Sequence, residues 1–331
     1  MTGIKILGVG KCAPENLASN EDFSKIVETN DEWITSRTGI KTRHISSGEP
    51  TFYLAAQAAK QAMERAGVAA ADIGLIIVTT ITGDYYTPSV ACMVQREIGA
   101  IGSMAIDVNC ACSGFAYGFD MAKRYLQTEE NLRYALVVSA EELSKITDYT
   151  DRSTCVLFGD GAAAVVIEKQ ENALYAGYLG ADGNGACALM ARNLKTVNPF
   201  IREAFEYDEK MPEGNNHFLF QDGKEVYKFA TKILPTAVEE SCKRAGIEVD
   251  DLDVIVPHQA NYRIIETAAK NLKIPMDKFY LNLHEYGNTS SASIPLAFCE
   301  AVENGAIKRG DKVCFVGFGA GLTYAAVVFE Y

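Results

Sequence analysis

The 331-residue chain repeats itself at one constant interval, and few folds accommodate that. Ala58 to Val78 and Ala237 to Pro257 align on an Arg-Ala-Gly triplet: Arg65, Ala66 and Gly67 in one copy, and Arg244, Ala245 and Gly246 in the other, 246 − 67 = 179 positions apart. Asp72 and Asp251 keep the same interval. Each copy reads as a helix, a glycine stop, a short loop and a buried strand. The interval also carries Ala135 to Val138 onto Cys314 to Gly317, and Cys112 onto Ser291 in the turn G-N-T-S-S-A-S. α/β proteins in general reuse such units, but one shift across three segments favours duplication over coincidence. The expectation is two α/β halves, each a mixed sheet covered by helices, meeting near residues 170 to 180: an N-terminal half over 1–172 and a C-terminal half over 173–331.

Ligands of α/β proteins sit at strand ends and in crevices between units, so turns from both halves can converge on one site. In the first half, A-I-D-V-N-C-A-C-S-G-F-A-Y-G reads as a buried strand from Ala105 to Val108, a small-residue turn, and a helix from Phe115 to Leu126. Cys112 then falls near a helix N-terminus, where unpaired N–H groups and the helix dipole favour the nucleophilic thiolate. Ser113 and Gly114 leave room for a substrate beside the sulfur. The competing reading is a small buried residue, the usual fate of a free cysteine. In the second half, His258 ends the strand Val254 to Val256 in I-V-P-H-Q-A-N, where Pro257 limits further pairing. Asn288 precedes a helix starting near Ser291, and by itself reads equally as a cap or a left-handed turn residue.

The formal charge of −12 argues against a general nucleic-acid binder but leaves room for local basic patches facing an acidic partner. No run of about 18 apolar residues reads as a membrane span, and M-T-G-I-K-I-L-G-V-G reads as a first strand rather than a leader, which points to the cytoplasm. Nine cysteines lie scattered without a C-x-x-C pair, so neither a zinc site nor any other metal is expected. Between Ala186 and Phe220 the periodicity fails, and a long surface loop is expected there.

Six segments together resemble a known family: N-D-E-W-I-T-S-R-T-G-I-K-T-R-H-I, A-C-S-G-F, D-R-S-T-C-V-L-F-G-D-G-A, P-H-Q-A-N, Y-G-N-T-S-S-A-S-I-P and G-F-G-A-G-L-T. Spanning nearly the whole chain in the family's order, they are similar to beta-ketoacyl-acyl-carrier-protein synthase III, a condensing enzyme of the thiolase-like superfamily. The resemblance implies a layered αβαβα arrangement of the two halves. It also implies a decarboxylating condensation of an acyl-CoA with malonyl-acyl-carrier protein that initiates fatty-acid synthesis, in a homodimer, with CoA thioester as substrate and no cofactor. A synthase III-like acyltransferase, or a condensing enzyme of a secondary-metabolite pathway, is the alternative.

The family's triad falls on Cys112, His258 and Asn288, and an oxyanion hole on the backbone N–H groups of Cys112 and Ala320. Trp33 and Arg152 correspond to residues that sandwich the adenine of CoA, Arg37 to one meeting its phosphates, and Gly223 and Asn261 to residues flanking the pantetheine tunnel. Phe158 and Tyr227 fall near the tunnel and acyl pocket. Lys228, Arg263 and Lys270 match a basic patch that receives the acidic carrier protein, although Asn271 stands where relatives often have a further lysine. Thr87 occupies a position at which relatives often carry an aromatic residue that closes the acyl pocket across the dimer. Chain-length preference is therefore not read from the sequence.

Overall fold

The computed structural model describes residues 2–193, 198–200 and 217–331. Strands Thr2–Cys12, Asp160–Glu171, Tyr134–Glu142, Ile73–Thr79 and Met104–Val108 lie side by side in that order as one mixed sheet. A second sheet runs Tyr175–Ala181, Thr323–Glu330, Lys312–Gly319 and Val254–Pro257, and like the first it has two antiparallel pairings followed by a parallel one. The counterpart of the Met104–Val108 strand shrinks in the second half to a single parallel bridge between Ile255 and Phe279. Glu171 and Tyr175 bound the crossing from one sheet to the other.

The interval of 179 recurs in the backbone. One-turn 3-10 helices span Ala70–Asp72 and Val249–Asp251, then Ala111–Ser113 and Ser290–Ala292, with helices starting at Gly114 and Ser293. Ala111 and Ser290 both adopt left-handed φ, +45° and +49°, an uncommon conformation for residues bearing a Cβ. Helices ending at Ala66 and Ala245 both stop on a left-handed glycine, Gly67 and Gly246.

Helices Gly114–Thr128 and Ser293–Glu303 form the middle layer, and their apolar faces join both sheets in one core. Phe115, Phe119, Phe298, Phe315 and Phe329 interlock there, with ring centroids as close as 4.7 Å. Thr51–Ala66 and Val90–Ile98 cover the outside of the first sheet, and Gly223–Ala245 and Tyr262–Leu272 the outside of the second. The result is five layers, αβαβα. Strands covered on both faces read as unbroken apolar runs, as Ala135 to Val138 do.

Two sequence readings change. The Ala105 to Val108 strand is not buried: Met104–Val108 is the outermost strand of its sheet, only partly covered, because nothing among the described residues pairs its free edge. The Ala186 to Phe220 segment is not wholly a surface loop. Its ends form a two-stranded ribbon, Leu189–Met190 with Phe220–Gln221, that buries Leu189 and Leu219, while residues 194–197 and 201–216 lie outside the described residues.

Candidate active site

Cys112 sits in the 3-10 turn just before the Gly114–Thr128 helix, held by close backbone approaches that tolerate no side chain. A Cβ on Gly319 would come within 2.5 Å of the Cys112 amide nitrogen, and one on Gly114 within 3.2 Å of Ser291 Cβ. The glycines at the end of the Lys312–Gly319 strand thus let the second half press against the cysteine turn of the first. Across that contact Cys112 Sγ meets Ser290 Oγ at 3.5 Å.

The sequence expectation of a resting thiolate is overturned. Burial pushes the Cys112 thiol up to about 12, and the Glu141 charge adds to the rise, against weaker lowering by the Ser290 hydroxyl and the Cys112 amide. Desolvation outweighs the donors at the turn, so Cys112 rests as a thiol at neutral pH. Cys110, two residues away, faces a neighbouring cavity instead.

His258 follows the Val254–Pro257 strand and continues its ladder by donating its N–H to the Val316 carbonyl at 2.7 Å. Its imidazole lies edge-on to Phe318 and is 2 % exposed. Burial holds its pKa down to about 3, so it is neutral at physiological pH. The unfolded chain binds a proton near pH 6.5 and the folded one does not, so stability falls as pH drops from about 6.5 to about 3, by on the order of 4 kcal/mol. His258→Gln removes that dependence. Urea midpoints of the variant should decline less steeply than those of the parent across that window, and parallel declines would contradict a neutral buried His258.

Asn288 is fixed by its backbone: its N–H donates to the Leu157 carbonyl, and its own carbonyl accepts from Gly159 N–H. It neither caps the helix nor takes a left-handed φ; positive φ falls on Gly287 before it and Ser290 after it. Its Oδ1 accepts from Ser290 N–H at 2.9 Å, which the left-handed turn at Ser290 aims back at it. With the oxygen occupied, the Nδ2 end is the one left to donate.

Glu141 was not singled out by the sequence. Fully buried, with its pKa raised by desolvation, it accepts from Ser291 Oγ (2.6 Å), Thr82 Oγ1 (2.7 Å) and Ile81 N–H (3.0 Å). It thereby pins the Ser290–Ala292 turn of the second half onto the first. Its only sequence signal is a glutamate inside an apolar strand, Tyr134–Glu142.

Cys112, His258, Asn288 and Ala320 line one cavity of about 340 Å³ together with Trp33, Arg37, Gly223, Asn261, Phe158 and Tyr227. Cys112, His258 and Asn288 are its buried end; Arg37, Gly223 and Tyr227 are exposed. Arg152 is not part of the lining. Its guanidinium lies 5.1 Å from the Trp33 ring centre and donates to the Glu28 carbonyl, while Arg37 lies 4.7 Å from the same ring. A base inserted between Trp33 and Arg152 needs about 7 Å, two van der Waals contacts, so the sandwich is closed in this structure. Tyr227 is at the rim, bonded to Thr267 Oγ1, rather than deep in an acyl pocket. Within its own chain Thr87 does not line the Cys112 cavity: it lines the neighbouring cavity of about 1350 Å³, which shares Ile81, Ala111, Leu189 and Ala320 with the first. Lys228, Arg263 and Lys270 lie on the two outer helices Gly223–Ala245 and Tyr262–Leu272, with Arg263 donating to the Ser36 carbonyl and Lys270 paired with Glu266. Asn271 ties the two helices by donating to the Thr231 carbonyl. Among the described residues, no three His, Cys, Asp or Glu side chains are grouped to hold a metal ion.

A duplicated αβαβα fold whose two halves meet around a buried cysteine is the architecture of thiolase-like condensing enzymes. Comparison with known proteins narrows the class. Residues 106–183 match the family described as 3-Oxoacyl-[acyl-carrier-protein (ACP)] synthase III, and residues 242–331 match its C-terminal counterpart. The chain is 47% identical over its full length to a beta-ketoacyl-[acyl-carrier-protein] synthase III of Clostridium acetobutylicum, covering 99% of that protein, and 46% identical to one of Clostridium tetani, covering 99% of this chain and 98% of the relative. Among solved structures, 3-oxoacyl-[acyl-carrier-protein] synthase III from Aquifex aeolicus superposes with a TM-score of 0.90 at 40% identity, covering 99% of this chain and all of the other. The priming beta-ketosynthase of the R1128 polyketide pathway superposes at 0.89 with 33% identity, over 99% of this chain and 96% of the other. The chain belongs to the beta-ketoacyl-acyl-carrier-protein synthase III family of acyltransferase-type condensing enzymes.

Proposed function

We propose that the chain condenses an acyl-CoA with malonyl-acyl-carrier protein, yielding beta-ketoacyl-acyl-carrier protein, CoA and CO2, as the initiating step of fatty-acid synthesis. The observation that carries the reading is one cavity in which a buried thiol, a neutral histidine and an oriented amide meet below a half-buried Trp33 and an exposed Arg37. In the first half-reaction Cys112 sulfur attacks the thioester carbonyl and the C–S bond to CoA breaks. The thiol proton leaves with the CoA sulfur, since His258 is too weak a base to hold it. Backbone N–H groups of Cys112 and Ala320 receive the oxyanion. In the second, malonyl-carrier protein loses CO2, and the electron pair moves onto its thioester oxygen, which His258 and Asn288 stabilise as donors. The enolate carbon attacks acyl-Cys112, the C–S bond breaks, and the sulfur takes a proton from solvent. No group beyond the two thioesters is required.

Arg37, Trp33, Gly223 and Asn261 lie along the route for CoA, and Arg152 must swing off Trp33 to admit the adenine. Lys228, Arg263 and Lys270 supply the local positive charge that an acidic carrier protein needs on this acidic molecule. No helix among the described residues is long and apolar enough to cross a membrane, in line with work in the cytoplasm. The free edge of Met104–Val108, beside exposed Ile101, Tyr85 and Tyr86, supports a homodimer joined there, since an uncovered strand edge invites pairing. Sedimentation velocity should then give twice 36.0 kDa, and a monomer at micromolar concentration would remove that part.

The deciding assay supplies an acyl-CoA and malonyl-carrier protein and follows CO2 and product together. Equal release of CO2 and beta-ketoacyl-carrier protein is expected. Acyl transfer without CO2 would overturn the condensing reading. The similarity to a polyketide priming synthase makes the carrier protein a second variable, resolved by comparing fatty-acid and polyketide carriers in the same assay.

A further inference from the structure

His258 Nδ1 lies 2.7 Å from Ser293 Oγ, and the same oxygen accepts the Gln259 backbone N–H at 3.3 Å. Ser293 opens the middle-layer helix of the second half, and both it and His258 are almost fully buried. The repeat isolates what is special about this contact. Subtracting 179 carries His258 to Thr79 and Ser293 to Gly114, and in the first half those two also touch: a Cβ on Gly114 would lie 3.1 Å from Thr79 Cβ. The duplicated scaffold thus places the same two positions together twice, but only the second half puts a hydroxyl against an imidazole. The helix starts as well from glycine as from serine, so its geometry does not call for the hydroxyl.

Hydrogen-bond accounting gives the hydroxyl a direction. Ser293 Oγ carries one proton and already accepts from Gln259. If His258 held its proton on Nδ1, the serine oxygen would accept twice, and its own proton would be left unpaired at a buried position. With the proton on Nε2, both bonds at the serine are satisfied: Gln259 N–H donates to Ser293 Oγ, and Ser293 O–H donates to Nδ1. We propose that Ser293 is a positioning residue that fixes His258 as the Nε2–H tautomer, so that its single N–H is presented as a donor at the buried end of the cavity. Asn288 is set in the same sense by a different group, its acceptor end being filled by Ser290 N–H. Both side chains therefore meet the substrate with donors, which suits stabilising an enolate oxygen and does not suit removing a proton.

The inference deepens the proposed function and rests on it for the reaction, but the tautomer can be read without any reaction. In enzyme labelled with ¹⁵N-histidine, two-bond ¹H–¹⁵N correlation spectra distinguish the tautomers, and His258→Gln assigns the signal among the four histidines. The parent should show His258 protonated on Nε2 alone, and an Nδ1–H signal there overturns the proposal. Ser293→Ala should mix the tautomers and slow malonyl-carrier-protein decarboxylation about 10- to 100-fold, with acyl loading of Cys112 kept within about twofold. Ser293→Thr, which retains the hydroxyl, should keep the parent spectrum and recover most of the rate. A Ser293→Ala enzyme that keeps the pure Nε2–H signal and full decarboxylation overturns the proposal. A variant that loses loading and decarboxylation alike, with the parent tautomer unchanged, assigns Ser293 to folding and overturns it too. Absence of decarboxylation in the parent would instead defeat the proposed function and leave the spectrum to decide the role of Ser293.

Discussion

Cys112→Ala is expected to yield no acyl adduct with any acyl-CoA and to lower condensation at least about 1000-fold, because the proposed nucleophile is gone. Intact-mass spectrometry reads the result directly: the parent gains one acyl group per chain, and the variant none. The eight other cysteines do not compensate. Cys299 and Cys314 are also buried, and burial raises both thiols, but neither lines the cavity, and Cys110 opens onto the neighbouring one. The same variant separates the half-reactions. His258 and Asn288 remain in place, so decarboxylation of malonyl-carrier protein should persist within about tenfold of the parent while no condensed product forms. An adduct that survives the substitution would move the nucleophile elsewhere. Loss of decarboxylation in step with condensation would show that the sulfur takes part in both halves of the chemistry.

His258→Ala and Asn288→Ala are expected to give the reverse pattern, each lowering decarboxylation about 100- to 1000-fold, the loss typical of one oxyanion donor. Acyl loading of Cys112 should continue, since its oxyanion would meet backbone N–H groups. The double variant should lose little more than the worse single one, because two donors aimed at one oxygen act as a unit. Asn288→Asp is a sharper probe. It keeps the bond from Ser290 N–H but turns the other end from a donor into an acceptor, which opposes a developing enolate; it should fall below Asn288→Ala. If both alanine variants lost loading and kept decarboxylation, the assignments of the two oxyanion sites would be exchanged.

Much of the molecule was legible before any coordinates. Element type and order follow from short-range pattern, since apolar period, glycine stops and turn residues act over a few positions. The duplication made this stronger: the 3-10 turns at Ala111–Ser113 and Ser290–Ala292 lie at the very interval counted from Arg-Ala-Gly triplets far from either. Cys112, His258 and Asn288, which line one cavity, are each marked in the sequence by a place at a strand-to-helix turn and together by resemblance. The misread elements share a cause. Whether Met104–Val108 is buried depends on which strand pairs its far edge, and whether Leu189 and Leu219 turn inward depends on the ribbon formed by segments about 30 residues apart. Arg152 lies on Trp33 because the chain brings together positions more than 100 residues apart.

The sequence alone determined the two halves, their element order and the three chemically apt side chains, because these are written in local periodicity and in the spacing of the repeat. Only the tertiary structure decided their electrical state and direction. Cys112 is a thiol because the assembled halves strip it of water; His258 is neutral for the same reason; Asn288 offers its NH2 end because Ser290 takes the other. Desolvation and hydrogen-bond direction are properties of everything surrounding a group, and in this protein those surroundings come from both copies at once.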